Sequence, residues 1–312
     1  MASITRSFPK IARHLNYKRT FPSVTSARVD IPCFPYEAFD YSGNQVNPWS
    51  ILRLVESVRA FTFWKNVTPH EENRSLLDLH EVLQTHLVFI IGAELKIVDA
   101  SFHEFESAKH PLYCLTELKN LGKSSKTLSY NIFHEGSERH LISCDVTDVL
   151  IDAQTRRPVS YPEWWLTKFG RNVGEFRRAS LLGTLDPGET EVRVSYFRVT
   201  LSDTDTYGHC NWSSYLKYCC ESLFEHVNKE LGYKWVTCDD VSSGLQQADV
   251  LYRSEASLGD ILLVQSWSDL EKDSRGFASK CLKFRLLKDG NSCFEAKLKF
   301  YTNDISSPSS AL

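Results

Sequence analysis

The sequence predicts an α+β protein of two similar modules in tandem, and three observations carry that reading. A capped, amphipathic helix followed by a run of short apolar segments occurs after Asn47 and again after Asn211. Sliding the chain by about 164 residues lays Asn47 on Asn211, Ile51-Leu-Arg-Leu54 on Tyr215-Leu-Lys-Tyr218 and Glu56 on Cys220. At 312 residues the chain is long enough to build two cores.

Residues 1–29 hold Arg6, Lys10, Arg13, Lys18, Arg19 and Arg28 and no acidic residue, with Phe8, Ile11 and Leu15 at helical spacing. An acid-free, Arg- and Ser-bearing leader of that kind reads as a mitochondrial transit peptide, or else as a disordered basic arm on a cytoplasmic protein. Residues 30–165 form the first module. Asn47 is a good N-cap, Pro48 suits the first helical position, and Trp49, Leu52, Val55, Val58 and Phe61 follow at three-residue steps. Apolar runs at 87–91, 95–100, 112–118, 127–133 and 141–150 predict strands, punctuated by Gly122, Gly136 and the turn at 154–158. Residues 166–190 read as a connector that partly packs, because Leu181 and Leu182, with Trp164 and Trp165 just before them, are too apolar for a free linker. Residues 191–304 repeat the layout: a strand over 192–201, a helix from about 211 to 231 with Gly232 as terminator, and strands at 248–252, 261–268, 277–287 and 294–301. Residues 305–312 are polar and read as a disordered tail.

Composition excludes several function classes. A charged content of 24% and a net charge of -3 give no electrostatic case for nucleic acid. No run approaches the roughly eighteen apolar residues that a membrane-spanning helix needs. The nine cysteines include no C-x-x-C pair and no histidines at zinc spacing. They read as reduced, mostly buried thiols in a reducing compartment, with no structural metal.

The chemistry concentrates in the stretch from Ser202 to Glu221: Ser-Asp-Thr-Asp-Thr-Tyr-Gly-His-Cys-Asn-Trp-Ser-Ser-Tyr-Leu-Lys-Tyr-Cys-Cys-Glu. It places two carboxylates, a glycine, a histidine and an asparagine at a strand-to-helix junction, where backbone N–H groups are unpaired and the helix dipole favours developing negative charge. Asp203 and Asp205 flank one threonine, an arrangement that raises at least one pKa toward the range useful to a base. Asp203 reads as a turn residue and Asp205 as the functional one.

This order closely resembles the Asp-x-Asp-x-x-Gly-His-x-Asn segment of the hot-dog thioesterases, the 4-hydroxybenzoyl-CoA and acyl-ACP thioesterase group, including the Tyr215-Leu-Lys-Tyr218 that opens their central helix. It departs at Trp212, where the family pattern has a second asparagine. The resemblance implies two tandem hot-dog modules, each an antiparallel sheet wrapped around its central helix, closing on each other as a dimer fused into one chain. Whether two such chains pair further is left open. It also implies hydrolysis of a fatty acyl-CoA or acyl-ACP thioester with no cofactor or metal. Asp205 then stands at the position of nucleophile or general base, and Gly208, His209 and Asn211 at those that shape the thioester carbonyl site. Tyr207 lies among them, and Trp212 either narrows the acyl pocket or fills core.

Each of these residues has a duller reading. Asn211 can serve as a helix cap alone, Gly208 can answer only a backbone need, His209 can be a structural histidine, and Cys219-Cys220 reads as core packing. In the first module the shifted position of Asp205 holds Tyr41, with Asp40 beside it, and Gln45 replaces His209. That half lacks the proton-transfer set and is expected to wall the Asp205 site at the module interface. Glu56 on the first helix, Asp40, and Gln246 and Gln247, which could orient a water, are second-rank candidates. A non-catalytic acyl-CoA or acyl-carrier binding protein is the alternative function, supported by the altered first repeat and Trp212. A hot-dog dehydratase is a weaker third.

Overall fold

The computed structural model describes residues 16–40, 45–65, 73–172, 181–205, 207–229, 232–272 and 278–301. Two helices organise it, Pro48–Phe63 and Trp212–Val227, which stand 164 residues apart at both ends. Each begins one residue after an asparagine cap, as the local chemistry dictates. The second stops at Val227, short of the end expected from its apolar stripe, and Glu230 and Leu231 lie outside the described residues. Each turns one face inward: Ile51, Val55, Val58 and Phe61 on the first, Tyr215, Leu216, Cys219 and Leu223 on the second, all buried. Burial of each large apolar side chain contributes about 1.5–3 kcal/mol, and this fixes the helices against the sheet.

Among the described residues eleven strands form one antiparallel sheet. In chain order they are β1 (Lys18–Thr20), β2 (Ser26–Ile31), β3 (His86–Ile97), β4 (Leu112–Leu121), β5 (Ser125–His134), β6 (Arg139–Asp152), β7 (Arg193–Arg198), β8 (Leu245–Tyr252), β9 (Ile261–Lys272), β10 (Ala278–Lys288) and β11 (Asn291–Phe300). Across the sheet the order is β1-β2-β4-β5-β6-β3-β8-β11-β10-β9-β7. Read outward from the centre, both halves run through the same series: the first strand after the helix, then the last, the one before it, the second, and the strand that precedes the helix, beyond which the first half adds β1. β3 and β8 join the halves, with Gly92 opposite Leu251 and Lys96 opposite Gln247. The junction closes what would otherwise be an open edge on each half.

Two expectations need correction. The acid-free composition places a leader over residues 1–29, yet β2 pairs with β4 along its whole length and buries Ala27, Val29 and Ile31, and β1 pairs with β2. Residues 16–29 therefore belong to the folded body, while 1–15 lie outside the described residues, as does the tail from 302. The runs at 87–91 and 95–100 are not two strands: β3 is continuous through Gly92, with a bulge at that point. A Cβ on Gly92 would lie 2.7 Å from Leu181 Cδ2 and 3.0 Å from Val250 O, so glycine marks close packing at the junction, not a break.

Within 166–190 the described residues Phe169 and Leu185 are buried, whereas Leu181 is exposed. Glu163–Phe169 is a short helix whose Trp165 is fully buried and donates its indole N–H to Leu77 O at 2.6 Å. Further on, Leu185 N–H donates to the buried Glu295 at 3.1 Å. All nine cysteines are free, and only Cys33 and Cys238 are exposed. No helix among the described residues is long and apolar enough to cross a membrane.

Candidate active site

The turn after β7 is built by its two aspartates in different ways. Asp203 is buried at the start of the turn; it accepts the N–H of Thr200 at 3.0 Å and pairs with Lys217 Nζ at 3.0 Å. Burial alone would raise its pKa, but the hydrogen bonds from Thr200 and Lys217 prevail and hold it below the ordinary carboxylate value. Asp203 is a structural anchor, in keeping with its reading as a turn residue.

Asp205 is the opposite case. Its Oδ1 accepts the N–H of Tyr207 at 2.8 Å and of His209 at 3.2 Å, while its own N–H donates to His209 O at 2.8 Å. Burial raises its pKa above the ordinary value despite those two N–H groups. Gly208 sits at φ +78, in the left-handed region, with nothing within 4 Å of where a Cβ would be; its glycine is demanded by backbone conformation. Asn211 Oδ1 accepts from Ser213 N–H at 3.0 Å and from its hydroxyl at 2.7 Å, so it does cap the second helix.

The N–H groups around Gly208, attractive in the sequence as carbonyl donors, are largely spoken for. Gly208 donates to Asp205 O, Cys210 to Ala256 O and Asn211 to Asp203 O. Among the described residues no acceptor is found for Asn211 Nδ2 or for the Trp212 N–H, the first of the helix. Trp212 is itself buried, and its carbonyl accepts the Tyr252 hydroxyl at 2.8 Å.

A cavity of about 340 Å³ opens here, with walls from both halves of the chain; Gly208 does not line it. The second half supplies Asp205, Tyr207, His209, Asn211, Trp212 and Glu255; the first supplies Glu56, Arg59, Phe89 and Val149. Glu255 and Arg156 are the residues that the sequence reading missed. Glu255 Oε1 lies 3.5 Å from His209 Nδ1, and both its oxygens accept from one guanidinium nitrogen of Arg156, at 3.0 and 2.8 Å. The Arg156 guanidinium in turn lies 4.7 Å from the centre of the Phe89 ring. On the opposite wall Glu56 pairs with Arg59 at 2.7 Å. Arg59, buried, reaches Asp148 at 3.2 Å, and Lys126 binds the other oxygen of Asp148.

The remaining candidates lie elsewhere. Gln247 bonds to Glu94 at 3.1 Å and Asp249 at 2.7 Å, Gln246 is exposed, and neither lines the cavity. Asp40 does not line it either, but its hydrogen bonds are informative. Asp40 N–H donates to Gln45 O at 2.8 Å and Gln45 N–H to Asp40 Oδ1 at 3.2 Å, the pattern that joins Asp205 to His209. Asp40, not Tyr41, is thus the counterpart of Asp205; Tyr41 lies outside the described residues.

Neither a family model nor a curated protein matches the sequence. Solved structures do match the fold. A protein from Lactobacillus plantarum, provisionally named an oleoyl thioesterase, aligns with a TM-score of 0.63 at 12% identity, over 92% of this chain and 97% of that one. The 12:0-ACP thioesterase from Umbellularia californica aligns at 0.60 and 10% identity, over 90% and 99%. An acyl-ACP thioesterase from Bacteroides thetaiotaomicron aligns at 0.58 and 11% identity, over 88% and 98%. The chain has the double hot-dog fold. In this double hot dog the cavity lies beside the start of the second central helix and is roofed by the middle of the first, so neither half alone encloses it.

Proposed function

We propose that the chain hydrolyses acyl thioesters of CoA or acyl carrier protein at the Asp205 cavity. The observation that carries this reading is a desolvated carboxylate held by two backbone N–H groups beside a histidine and two unclaimed N–H donors, in a pocket large enough for an acyl group. Asp205 Oδ2 has no donor among the described residues and takes the proton of a water whose oxygen attacks the acyl carbon. Asn211 Nδ2 and the Trp212 N–H hold the carbonyl oxygen as it gains charge; one such donor contributes on the order of 3 kcal/mol in acyl transfer. The C–S bond then breaks, and the thiolate leaves with a proton delivered through His209. Glu255, clamped by Arg156 from the other half, sits against the His209 ring and holds its orientation. Direct attack by Asp205, through an anhydride, uses the same geometry; incorporation of ¹⁸O from solvent into Asp205 during a single turnover separates it from the general-base route.

The test is thiol release from acyl-CoA and acyl-ACP by the purified chain. Turnover on either supports the reading, and a chain inert on both is an acyl-thioester binding protein instead. The structural neighbours are in keeping with the enzyme, since all three carry thioesterase names. The acid-free residues at the start of the chain favour a mitochondrial setting for this activity, and import of a fusion of residues 1–15 to a reporter tests it.

A further inference from the structure

The cavity borders the edge of a strand as well as its face. Residues 88–91 of β3 line it in unbroken succession, and so do residues 252–255 at and beyond the end of β8. Successive side chains of a strand point to opposite faces, so four neighbours reach one space only where that space lies along the strand's edge. Residues 86–91 of β3 are all half-buried, without the alternation of a strand covered on one face. The two strands part here. β8 pairs with β3 only over Gly92 to Lys96, and beyond Leu251 it stays with β11, where Tyr252 lies opposite Phe294 and Arg253 N–H donates to Cys293 O at 2.9 Å. Residues 86–91 are therefore paired on one side alone, with β6.

The phase of that pairing tells which backbone groups are free. Leu150 of β6 donates its N–H to Ser124 O at 2.7 Å, away from β3, so its neighbours Val149 and Ile151 face β3 and share hydrogen bonds with Phe89 and Leu87. The N–H and C=O groups of Val88 and Ile90 then point the other way, into the opening between β3 and β8. No partner for them is found among the described residues.

We infer, building on the thioesterase reading, that this open edge of β3 takes the pantetheine arm of the substrate as a short added strand. CoA and acyl carrier protein present the thioester on the same arm, an extended chain with two secondary amides between the sulfur and the phosphate. Each amide offers one donor and one acceptor, the complement of what Val88 and Ile90 leave unpaired, and an extended chain added to a strand edge is a recurring mode of recognition. An arm without amides would cover these N–H and C=O groups and give them no partner, so the edge selects against it. The substrate class is thus a thioester on an amide-bearing arm, and this subsite does not distinguish CoA from carrier protein.

The experiment is backbone hydrogen exchange of the full chain with and without saturating S-octyl-pantetheine, a thioether that cannot be hydrolysed, its affinity measured by calorimetry. The Val88 and Ile90 N–H groups should slow at least ~10-fold more than those of Leu87 and Phe89, which β6 already holds. A second thioether, with both amide N–H groups replaced by ester oxygens, keeps the length and shape of the arm and should bind at least ~5-fold more weakly. Equal slowing at all four residues, equal affinity for the ester arm, or no binding of the amide thioether overturns the inference. Hydrolysis of octanoyl-CoA and octanoyl-ACP, followed in parallel, tells which carrier supplies the arm. Turnover without selective protection removes the inference and leaves the enzyme; selective protection without turnover of either leaves the inference and removes the enzymatic reading.

Discussion

Asp205→Asn separates a catalytic carboxylate from a structural one, because the two roles predict opposite changes in stability. The asparagine oxygen can keep both hydrogen bonds, from Tyr207 N–H at 2.8 Å and His209 N–H at 3.2 Å, so the turn has no reason to open. What is lost is a basic oxygen, and general-base contributions of about 10²–10⁴ set the expected fall in kcat/KM. Because burial raises the Asp205 pKa in the fold, the folded chain holds the proton more tightly than the unfolded chain does. The stabilisation this brings is complete below the unfolded value, near the ordinary 3.8, and is lost as pH rises through the folded value. At pH 7 the ionised carboxylate is therefore a net cost, and the asparagine variant should melt at the same temperature as wild type or higher. For the same reason the rate should fall on acidification with a midpoint above 3.8, as the base becomes protonated. Thiol release and thermal melts at pH 7 read both effects. A variant within five-fold of wild-type activity, or one melting more than about 4 °C lower, equivalent to ~1–2 kcal/mol for a chain of this size, would refute the assignment.

Three further substitutions test the supporting structure. Glu255→Gln should lower kcat/KM at least ~10-fold, and Arg156→Gln should act in the same direction with a smaller effect; the double variant should lose less than the product of the two, since both work through His209. Lys126→Met leaves Asp148 sharing only Arg59 in a dry interior and should cost about 3–5 kcal/mol in chemical denaturation. Gly208→Ala meets no atom within 4 Å, so its cost is conformational only, about 1–2 kcal/mol, with a loss of activity from the displaced His209 N–H.

Local chemistry made much of the fold legible. An asparagine cap followed by Pro48 fixes the start of the first helix without reference to anything distant, and short apolar runs between turn residues announce most of the strands. What misled was signal of two kinds in one stretch. In Ser26–Ile31 the buried Ala27, Val29 and Ile31 alternate with Arg28 and Asp30, a strand pattern, but the basic charge of the whole leader outweighs it when composition is read first. The Glu255–Arg156 pair was out of reach for a different reason. Its members stand 99 positions apart and neither belongs to a motif; only the closure of one half of the sheet onto the other brings them together. A gapless slide likewise could not align Asp40 with Asp205, because the first turn spends one more residue between its aspartate and the residue that bonds back to it.

That extra residue bears on how many active sites the fused pair retains. The symmetry of the sheet order offers two equivalent turns, and both keep the aspartate and its backbone hydrogen bonds. Only one keeps the histidine. At the other, Gln45 occupies that place and sends its side chain to Ser242 O at 2.8 Å, tying the halves together instead of serving a substrate. Nearby, the His103 ring is seated so closely against Gly244 that a Cβ there would fall 2.3 Å from it, and its Nε2 meets Leu245 O at 2.8 Å. Among the described residues the first turn thus bridges the two halves. If both turns were catalytic, Asp205→Asn would remove no more than about half of the activity, far short of the 10²–10⁴ argued from its chemistry. Asp40→Asn, assayed in parallel, should stay within two-fold of wild type; a loss comparable to that of Asp205→Asn would mean that the two turns act together and that the division between bridge and site is wrong.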